Sequence, residues 1–287
     1  MLDKNIIKKN FSAAKNYDNF TTYHNLTLKM ISFSIKEFFD RCYGGCGTTG
    51  NSPRLIKKIN ILDIGCGTAQ GYFTAKNAAL GRPFDYFGLD FALGLLKEAE
   101  RKLTGGPDAV AADNAYLICG DAEYLPLKEK KFDVIFSNMT LHWLNNADNF
   151  LEGCEYALKD GGMIILSFLI AGTLKELEDN FKNMGGGAEA GIRLHKFPEI
   201  RSIKEKIDKT GLRINGSNIF EYSETAGTSF KLLKRINMLG AKNALGAKIT
   251  GALSLRKSLL RYDKHYRNKE GNVFCTYKIA YLTLEKQ

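Results

Sequence analysis

The chain has no hydrophobic run that is long enough to span a membrane. Its longest apolar stretch, residues 163–171, is far shorter than the roughly 20 residues that a transmembrane helix needs. Residues 1–5 do not begin a hydrophobic signal segment. We therefore expect a cytoplasmic protein without a membrane partner.

Cysteine is sparse, with six residues in a chain of 287. Only Cys42 and Cys46 lie close together, and no paired cysteine or histidine ligands accompany them. A zinc site usually needs four such ligands at short spacings. The sequence therefore predicts reduced thiols and no metal.

Acidic residues are scarce in one long segment, residues 231–270. This segment contains eleven Lys and Arg residues but only two acids, while the whole chain has a formal net charge of +10. A field of one sign attracts partners of the opposite sign. Nucleic acid, a membrane surface, an acidic protein and a merely solvated face all remain possible interpretations of this segment.

The most informative positive feature is a short glycine-rich motif after an apolar segment. Residues 59–64 lead directly into Asp63-x-Gly65-x-Gly67, and a helix can begin just beyond. Glycines allow a tight turn, and the amide groups at a helix N-terminus can face a ligand. The third glycine of the dinucleotide fingerprint is missing. The carboxylate before the turn suits a cationic or donor-rich ligand, although a purely structural turn gives the same pattern.

Strands and helices alternate through the first two thirds of the chain, which predicts a doubly wound, parallel α/β sheet. We expect a Rossmann-like sheet with an antiparallel edge, a helical N-terminal cap and a helical insertion after the fifth strand. The predicted strands are 59–64, 84–90, 115–119, 132–137, 163–169, 212–222 and 273–284, with helices at 67–80, 92–103 and 147–158. We expect one domain over 1–287, organised as a cap (1–40), a linker (41–58), a cofactor-binding core (59–170), a substrate-side insertion (171–270) and an edge strand (271–287).

Polar residues follow the predicted strands at successive strand ends. This combination, with the motif at 63–67, resembles the class I S-adenosylmethionine (SAM) methyltransferases. The resemblance implies that Asp90, which precedes Phe91, accepts hydrogen bonds from ribose hydroxyls and that Asn138 lies beside the sulfonium. The implied cofactor-binding residues are Asp63, Gly65, Cys66, Gly67, Asp90, Phe91, Asp121, Ala122, Glu123 and Asn138, with residues 121–123 at the adenine edge.

Longer segments are similar to the malonyl-acyl-carrier-protein O-methyltransferases of biotin synthesis. They are residues 11–17 (FSAAKNY), 62–67 (LDIGCG), 120–127 (GDAEYLPL), 132–143 (FDVIFSNMTLHW), 172–177 (GTLKEL) and 239–241 (LGA). The first and fifth of these are the most specific to this family. The resemblance implies that the free carboxylate of a malonyl thioester is methylated, with SAM as cofactor, S-adenosylhomocysteine as product and no metal.

The same resemblance implies a substrate pocket and a protein partner. Pocket candidates are Arg193, as an anchor for the carboxylate, and Tyr17, Tyr23, His142 and Trp143. The partner is an acyl carrier protein that carries the malonyl group and docks on the basic segment 231–270. Nucleic acid is not the expected partner, because the prolines typical of base N-methylation are missing after Asn138.

This chain differs from the family pattern at a few positions, and other functions remain open. Ala69 replaces a glycine that is common in the motif, and His142 stands where glutamine is frequent. The alternatives are a SAM enzyme that acts on a different small acid or a quinol, an RNA methyltransferase, and a non-methylating assembly factor on the same fold.

Overall fold

A computed structural model describes residues 2–12, 18, 22–44, 58–104, 112, 114–182, 195–238 and 252–286. The helices are Lys4–Ser12 (α1), Thr22–Tyr43 (α2), Gln70–Ala79 (α3), Leu93–Thr104 (α4), Ala147–Ala157 (α5), Lys175–Lys182 (α6), Ile200–Ile207 (α7), Ser229–Met238 (α8) and Ala252–His265 (α9). The strands are Ile59–Ile64 (β1), Phe84–Asp90 (β2), Ala115–Cys119 (β3), Phe132–Asn138 (β4), Leu158–Leu169 (β5), Leu212–Ala226 (β6) and Val273–Lys286 (β7).

These strands form a seven-stranded sheet in the order β3-β2-β1-β4-β5-β7-β6. Strands β1 to β5 pair in parallel with their neighbours. The winding reverses between β1 and β4, and ligands of open α/β sheets bind at the carboxyl ends of the strands at such a point. The predicted doubly wound sheet is confirmed.

The edge beyond β5 is antiparallel, as predicted. Along β6 and β7, Gly216 approaches Thr283, and the ring of Tyr222 lies 6.4 Å from that of Tyr277. As residue numbers increase along β6, the numbers of the neighbouring residues on β7 decrease. The two strands are therefore antiparallel.

The chain divides into two compact units. The larger unit comprises residues 22–168, 201–218 and 281–287, and the smaller unit comprises residues 1–21, 169–200 and 219–280. Strands β6 and β7 thus contribute residues to both units. In the parts of the chain that the structure describes, no helix combines the length and the apolar character that a membrane span needs.

The central strands of the larger unit are almost completely buried, which explains their largely apolar sequences. Strand β4 is buried at every residue except its last, and β1 is buried at every residue except Asn60. Continuous apolar strands of this kind are typical of a parallel sheet with both faces covered. The polar residues that follow these strands therefore emerge at the edge of a rigid layer.

One predicted boundary is wrong. The sequence predicted a helix through residue 158 and a strand from residue 163, but α5 ends at Ala157 and β5 begins at Leu158, so residues 159–162 lie in the strand. Phe132 pairs with Leu158, although the register shifts before Val134. Lys159 also forms an ion pair of 2.5 Å with Asp133. These contacts between β4 and β5 extend the strand through Gly161 and Gly162, which the sequence placed between the helix and the strand.

In the smaller unit, the family-specific segment 172–177 lies beside β7. The Leu174 N–H donates to the carbonyl of Thr276 over 2.7 Å. The buried Glu176 accepts from the Thr276 N–H over 3.0 Å and from the Thr276 hydroxyl over 2.5 Å. Within the described residues, this motif therefore has a structural role, because it binds the chain after β5 to β7.

Candidate functional site

The loop after β1 is held tightly to the end of β2. The N–H groups of Gly65 and Cys66 both donate to the carbonyl of Leu89, over 2.7 and 3.0 Å. The Gly67 N–H donates to the Asp90 carboxylate over 2.9 Å. These three contacts fix the glycine turn at the edge of the sheet where a ligand is expected.

Gly65 cannot be replaced without a steric conflict. Its φ of +79° lies in the left-handed region, and a Cβ at this position would lie 1.9 Å from the Thr140 hydroxyl oxygen. Glycine alone allows the loop after β1 to approach the loop after β4 this closely. Ala69, at the start of α3, also has a left-handed backbone with φ 61°. The glycine common at this position in the family would have fitted that conformation without strain.

Asp63 lies beneath this turn and is almost fully buried. The Tyr86 hydroxyl donates to its Oδ2 over 2.7 Å. Gly71, in the first turn of α3, makes room for the carboxylate, because a Cβ there would lie only 2.0 Å from Oδ2. Burial raises the pKa of Asp63 to about 7, while the hydrogen bond from Tyr86 acts in the opposite direction.

Asp90 joins the loops that follow β1 and β2. Its Oδ2 accepts from Gly67 and its Oδ1 accepts from the Ala92 N–H over 2.7 Å. Burial raises its pKa, and these backbone hydrogen bonds oppose the shift. A carboxylate has about four acceptor positions, so these contacts and the one from the Phe91 N–H leave capacity for one predicted ribose hydroxyl. The adjacent Phe91 is half-buried.

The segment after β3 is ordered by its own carboxylates. Asp121 Oδ1 accepts from the Glu123 N–H over 3.0 Å, and the buried Glu123 accepts from the Asn145 N–H over 2.6 Å. Ala122, between them, is buried. The sequence predicted an adenine-edge role for these residues and missed the contact between Glu123 and the chain after β4.

Asn138, the last residue of β4, links three elements of the larger unit. Its Oδ1 accepts from the hydroxyls of Thr27 on α2 and Ser167 on β5, over 2.6 and 2.5 Å. Its Nδ2 donates to the carbonyl of His24 over 3.3 Å. Sequence reasoning identified Asn138 but not these partners, because no local pattern connects such distant positions.

The residue after Asn138 carries backbone strain. Met139 is buried and has φ 58°, a conformation that is uncommon for a residue other than glycine or asparagine. Its N–H donates to the carbonyl of Ser167 over 2.8 Å, which helps to hold it in place. Such strain is often found at functional sites.

Three of the five pocket candidates lie in the larger unit. His142 is buried and Trp143 is half-buried in a short 3-10 helix, Leu141–Trp143, with ring centroids 5.4 Å apart. Tyr23 on α2 is buried, and its ring lies 4.3 Å from that of His24. Tyr17 and Arg193 lie outside the described residues, so their roles stay predictions.

The chemistry of this edge fits a cationic cofactor that carries hydroxyl groups. The carboxylates of Asp63 and Asp90 are hydrogen-bond acceptors. The turn at Gly65 has no room for even the methyl side chain of alanine. The Cys66 thiol is buried, which raises its pKa well above the usual range. It therefore stays protonated at neutral pH and is unsuited to act as a nucleophile. Direct contact of the predicted residues with SAM stays a prediction.

Comparison with known proteins identifies the class of this site. A family model described as "Methyltransferase domain" matches residues 62–166. The solved structure of the YcgJ protein from Bacillus subtilis has the same fold, with a TM-score of 0.52 at 16% identity over 80% of this chain and 93% of that one. The sheet order and the domain match define a class I SAM-dependent methyltransferase.

Curated relatives narrow this class to a family. A malonyl-[acyl-carrier protein] O-methyltransferase from Buchnera aphidicola subsp. Baizongia pistaciae is 30% identical over 71% of this chain and 69% of the relative. One from Bacillus anthracis is 27% identical over 100% of this chain and 99% of the relative. The chain belongs to the malonyl-[acyl-carrier protein] O-methyltransferase family. The human arginine-hydroxylase NDUFAF5, mitochondrial, is also 27% identical, over 77% of this chain and 62% of that protein.

Proposed function

We propose that this protein methylates the free carboxylate of malonyl-[acyl-carrier protein], an early step of biotin synthesis. The observation that carries the proposal is the extent of the similarity, because the match to the Bacillus anthracis enzyme spans both chains almost completely. The similarity therefore includes the helices around the core as well as the methyltransferase domain. We expect those helices to determine which substrate a methyltransferase of this fold accepts.

The cofactor would be held by the strand ends described above. Asp63 and Asp90 would supply acceptors, and residues 65–67 would supply a turn without obstructing side chains. When bound, SAM supplies the methyl group, and S-adenosylhomocysteine is the product. Asp121 and Glu123 would border the adenine side, because they follow the strand next to β2.

The substrate carboxylate needs no general base. A malonyl carboxylate is ionised at neutral pH, as side-chain carboxylates of similar pKa are. Positioning of the two substrates then supplies most of the rate acceleration. Exclusion of water favours the reaction of the carboxylate anion with the SAM cation. The side chains of this site therefore have to orient the substrate and exclude water, and none of them has to transfer a proton.

The basic segment 231–270 would attract the carrier protein. Acyl carrier proteins are acidic, and complementary charge raises the association rate more than it raises the affinity. The value of kcat/KM for the carrier-bound substrate should therefore fall steeply with salt. For a malonyl thioester without the carrier protein, it should fall much less.

Mass spectrometry of a reaction with SAM and malonyl-loaded carrier protein tests the function directly. We expect the carrier-bound acyl group to gain one methyl group, and acetyl-loaded carrier protein, which has no free carboxylate, to gain none. SAM binding without methyl transfer would overturn the proposal. It would favour another small acid, a quinol or a non-methylating role.

A further inference from the structure

Helices α8 and α9 of the smaller unit are fixed against each other by polar contacts. The Ser229 N–H donates to Asp263 over 2.6 Å, and the Ser229 hydroxyl donates to the carbonyl of Leu259 over 3.2 Å. Leu232 and Tyr262 are fully buried. These contacts determine which side of each helix faces outward.

Two large apolar side chains lie on the outward side. Phe230 is 66% exposed and Leu260 is 61% exposed. They directly follow Ser229 and Leu259, the residues joined by a hydrogen bond, so their backbones lie near each other. Large exposed apolar groups on two helices that pack together often mark a binding surface.

Basic residues flank this apolar pair on both helices. Six exposed bases share the two helices with it: Lys231, Lys234, Arg235, Arg256, Lys257 and Lys264. The acid on these helices, Asp263, is half-buried and accepts from Ser229. We call Phe230, Leu260 and these six bases the α8–α9 face.

We propose that the α8–α9 face is the docking surface for the acidic carrier protein, with Phe230 and Leu260 as its apolar centre and the bases as its rim. This inference rests on the proposed function and adds which residues hold the partner. Protein interfaces commonly have an apolar centre and a polar rim. The occupant that fits is an amphipathic acidic helix, with an apolar stripe for the centre and carboxylates for the rim.

Substitutions in the apolar centre and substitutions in the basic rim should have different effects on binding of the carrier protein. Rim charges act mainly on the association rate, which depends on salt. Buried apolar anchors act mainly on dissociation. Loss of Phe230 or Leu260 should therefore weaken carrier binding without changing its salt dependence, whereas charge reversal at the rim should flatten that dependence.

Steady-state kinetics with two substrates test the proposal. The substrates are malonyl-loaded carrier protein and malonyl-pantetheine, which lacks the protein. Phe230→Ala and Leu260→Ala should each raise KM for the carrier-bound substrate about tenfold, a typical effect of an interface anchor, with kcat unchanged. KM for malonyl-pantetheine should not change. Lys231→Glu combined with Lys257→Glu should reduce the salt dependence for the carrier-bound substrate alone.

Tyr156→Ala provides a matched control, because Tyr156 is also an exposed aromatic residue (53%) but lies on α5 in the larger unit. It should leave both KM values unchanged. Unchanged KM in both α8–α9 variants, or an equal rise for both substrates, would overturn the docking surface while methyl transfer continues. Binding of single-stranded RNA that is weakened in Phe230→Ala, together with an unchanged KM for the carrier-bound substrate, would overturn the assignment to a protein partner. If neither malonyl-loaded carrier protein nor malonyl-pantetheine is methylated, the proposed function is overturned instead.

Discussion

The hydroxyl of Tyr86 donates to the carboxylate of Asp63 over 2.7 Å in the interior of the larger unit. Burial raises the pKa of Asp63 to about 7, and the charge of Asp90 adds to the shift. The Cys66 thiol, the Phe136 ring and Gly71 also lie near this carboxylate, and none of these three supplies a positive charge. Because the folded pKa exceeds the unfolded one, the stability contributed by this group falls as pH rises from about 4 to about 7.

Asp63 should make SAM binding dependent on pH. A cation near this carboxylate favours its ionised form, so affinity should rise as pH increases through about 7, with release of a proton. Tyr86→Phe removes the hydrogen bond that stabilises the ionised form. The midpoint should then move up by about one pH unit, the size expected for one hydrogen bond to a charged group. Titration calorimetry from pH 5.5 to 9, in buffers of different ionisation enthalpy, measures both quantities.

Tyr72→Phe is the control for this experiment, because the Tyr72 hydroxyl is a neighbouring group that bonds to Asn114 over 3.3 Å. Its midpoint should match that of the wild type. If Asp63→Asn retained the wild-type pH dependence, the titrating group would be a different residue.

Gly71 should tolerate no side chain. In Gly71→Ala, the new Cβ would lie 2.0 Å from Asp63 Oδ2 and 2.7 Å from the Phe136 ring. Overpacking of this kind typically costs about 1–3 kcal/mol, and it should also displace the carboxylate and weaken SAM binding. Chemical denaturation and calorimetry measure the two effects. Lys76→Ala, at an exposed position on the same helix, should change neither quantity appreciably.

Thr27 should stabilise the contact between α2 and the end of β4. Its hydroxyl oxygen is buried and lies 2.6 Å from Asn138 Oδ1. Thr27→Val keeps the shape but removes the donor, so we expect a loss of about 1 kcal/mol, because Ser167 still donates to Asn138. Thr27→Ser retains the hydroxyl and should be closer to the wild type in urea unfolding. Equal stability of the two variants would argue against the hydrogen bond.

The sequence was sufficient for the features that depend on local order. The apolar strand that leads into Asp63-x-Gly65-x-Gly67 can be recognised from its local sequence alone. The position of Asp90 at the end of the next strand is predicted by the same alternation of strands and loops. Parallel strands then bring these ends to one edge of the sheet. For this reason the sheet could be predicted from the sequence, and the resemblance of the motif at 63–67 to class I SAM methyltransferases predicted the class of protein.

Features that depend on distant partners could not be predicted. Asn138 and Thr27 lie 111 positions apart, and nothing near either residue indicates the other. The early start of β5 depends on contacts with β4, including the pair between Lys159 and Asp133. The sequence instead predicted that this strand begins at residue 163. The pairing of Asp63 with Tyr86 likewise requires knowledge of which strands are neighbours.

Glu176 should be one of the main stabilising residues of the smaller unit. It is buried and accepts two hydrogen bonds from Thr276, one from the N–H and one from the hydroxyl. Glu176→Ala leaves both donors without this acceptor, so we expect a loss of about 2–4 kcal/mol in chemical denaturation. Thr276→Val removes the hydroxyl alone, and the double variant should lose less than the sum of the single losses, because the two residues interact directly. Glu178→Ala, which removes an exposed ion pair with Lys182 on the same helix, should have little effect. Additive losses in the double variant would show that Glu176 stabilises the fold through contacts other than those with Thr276.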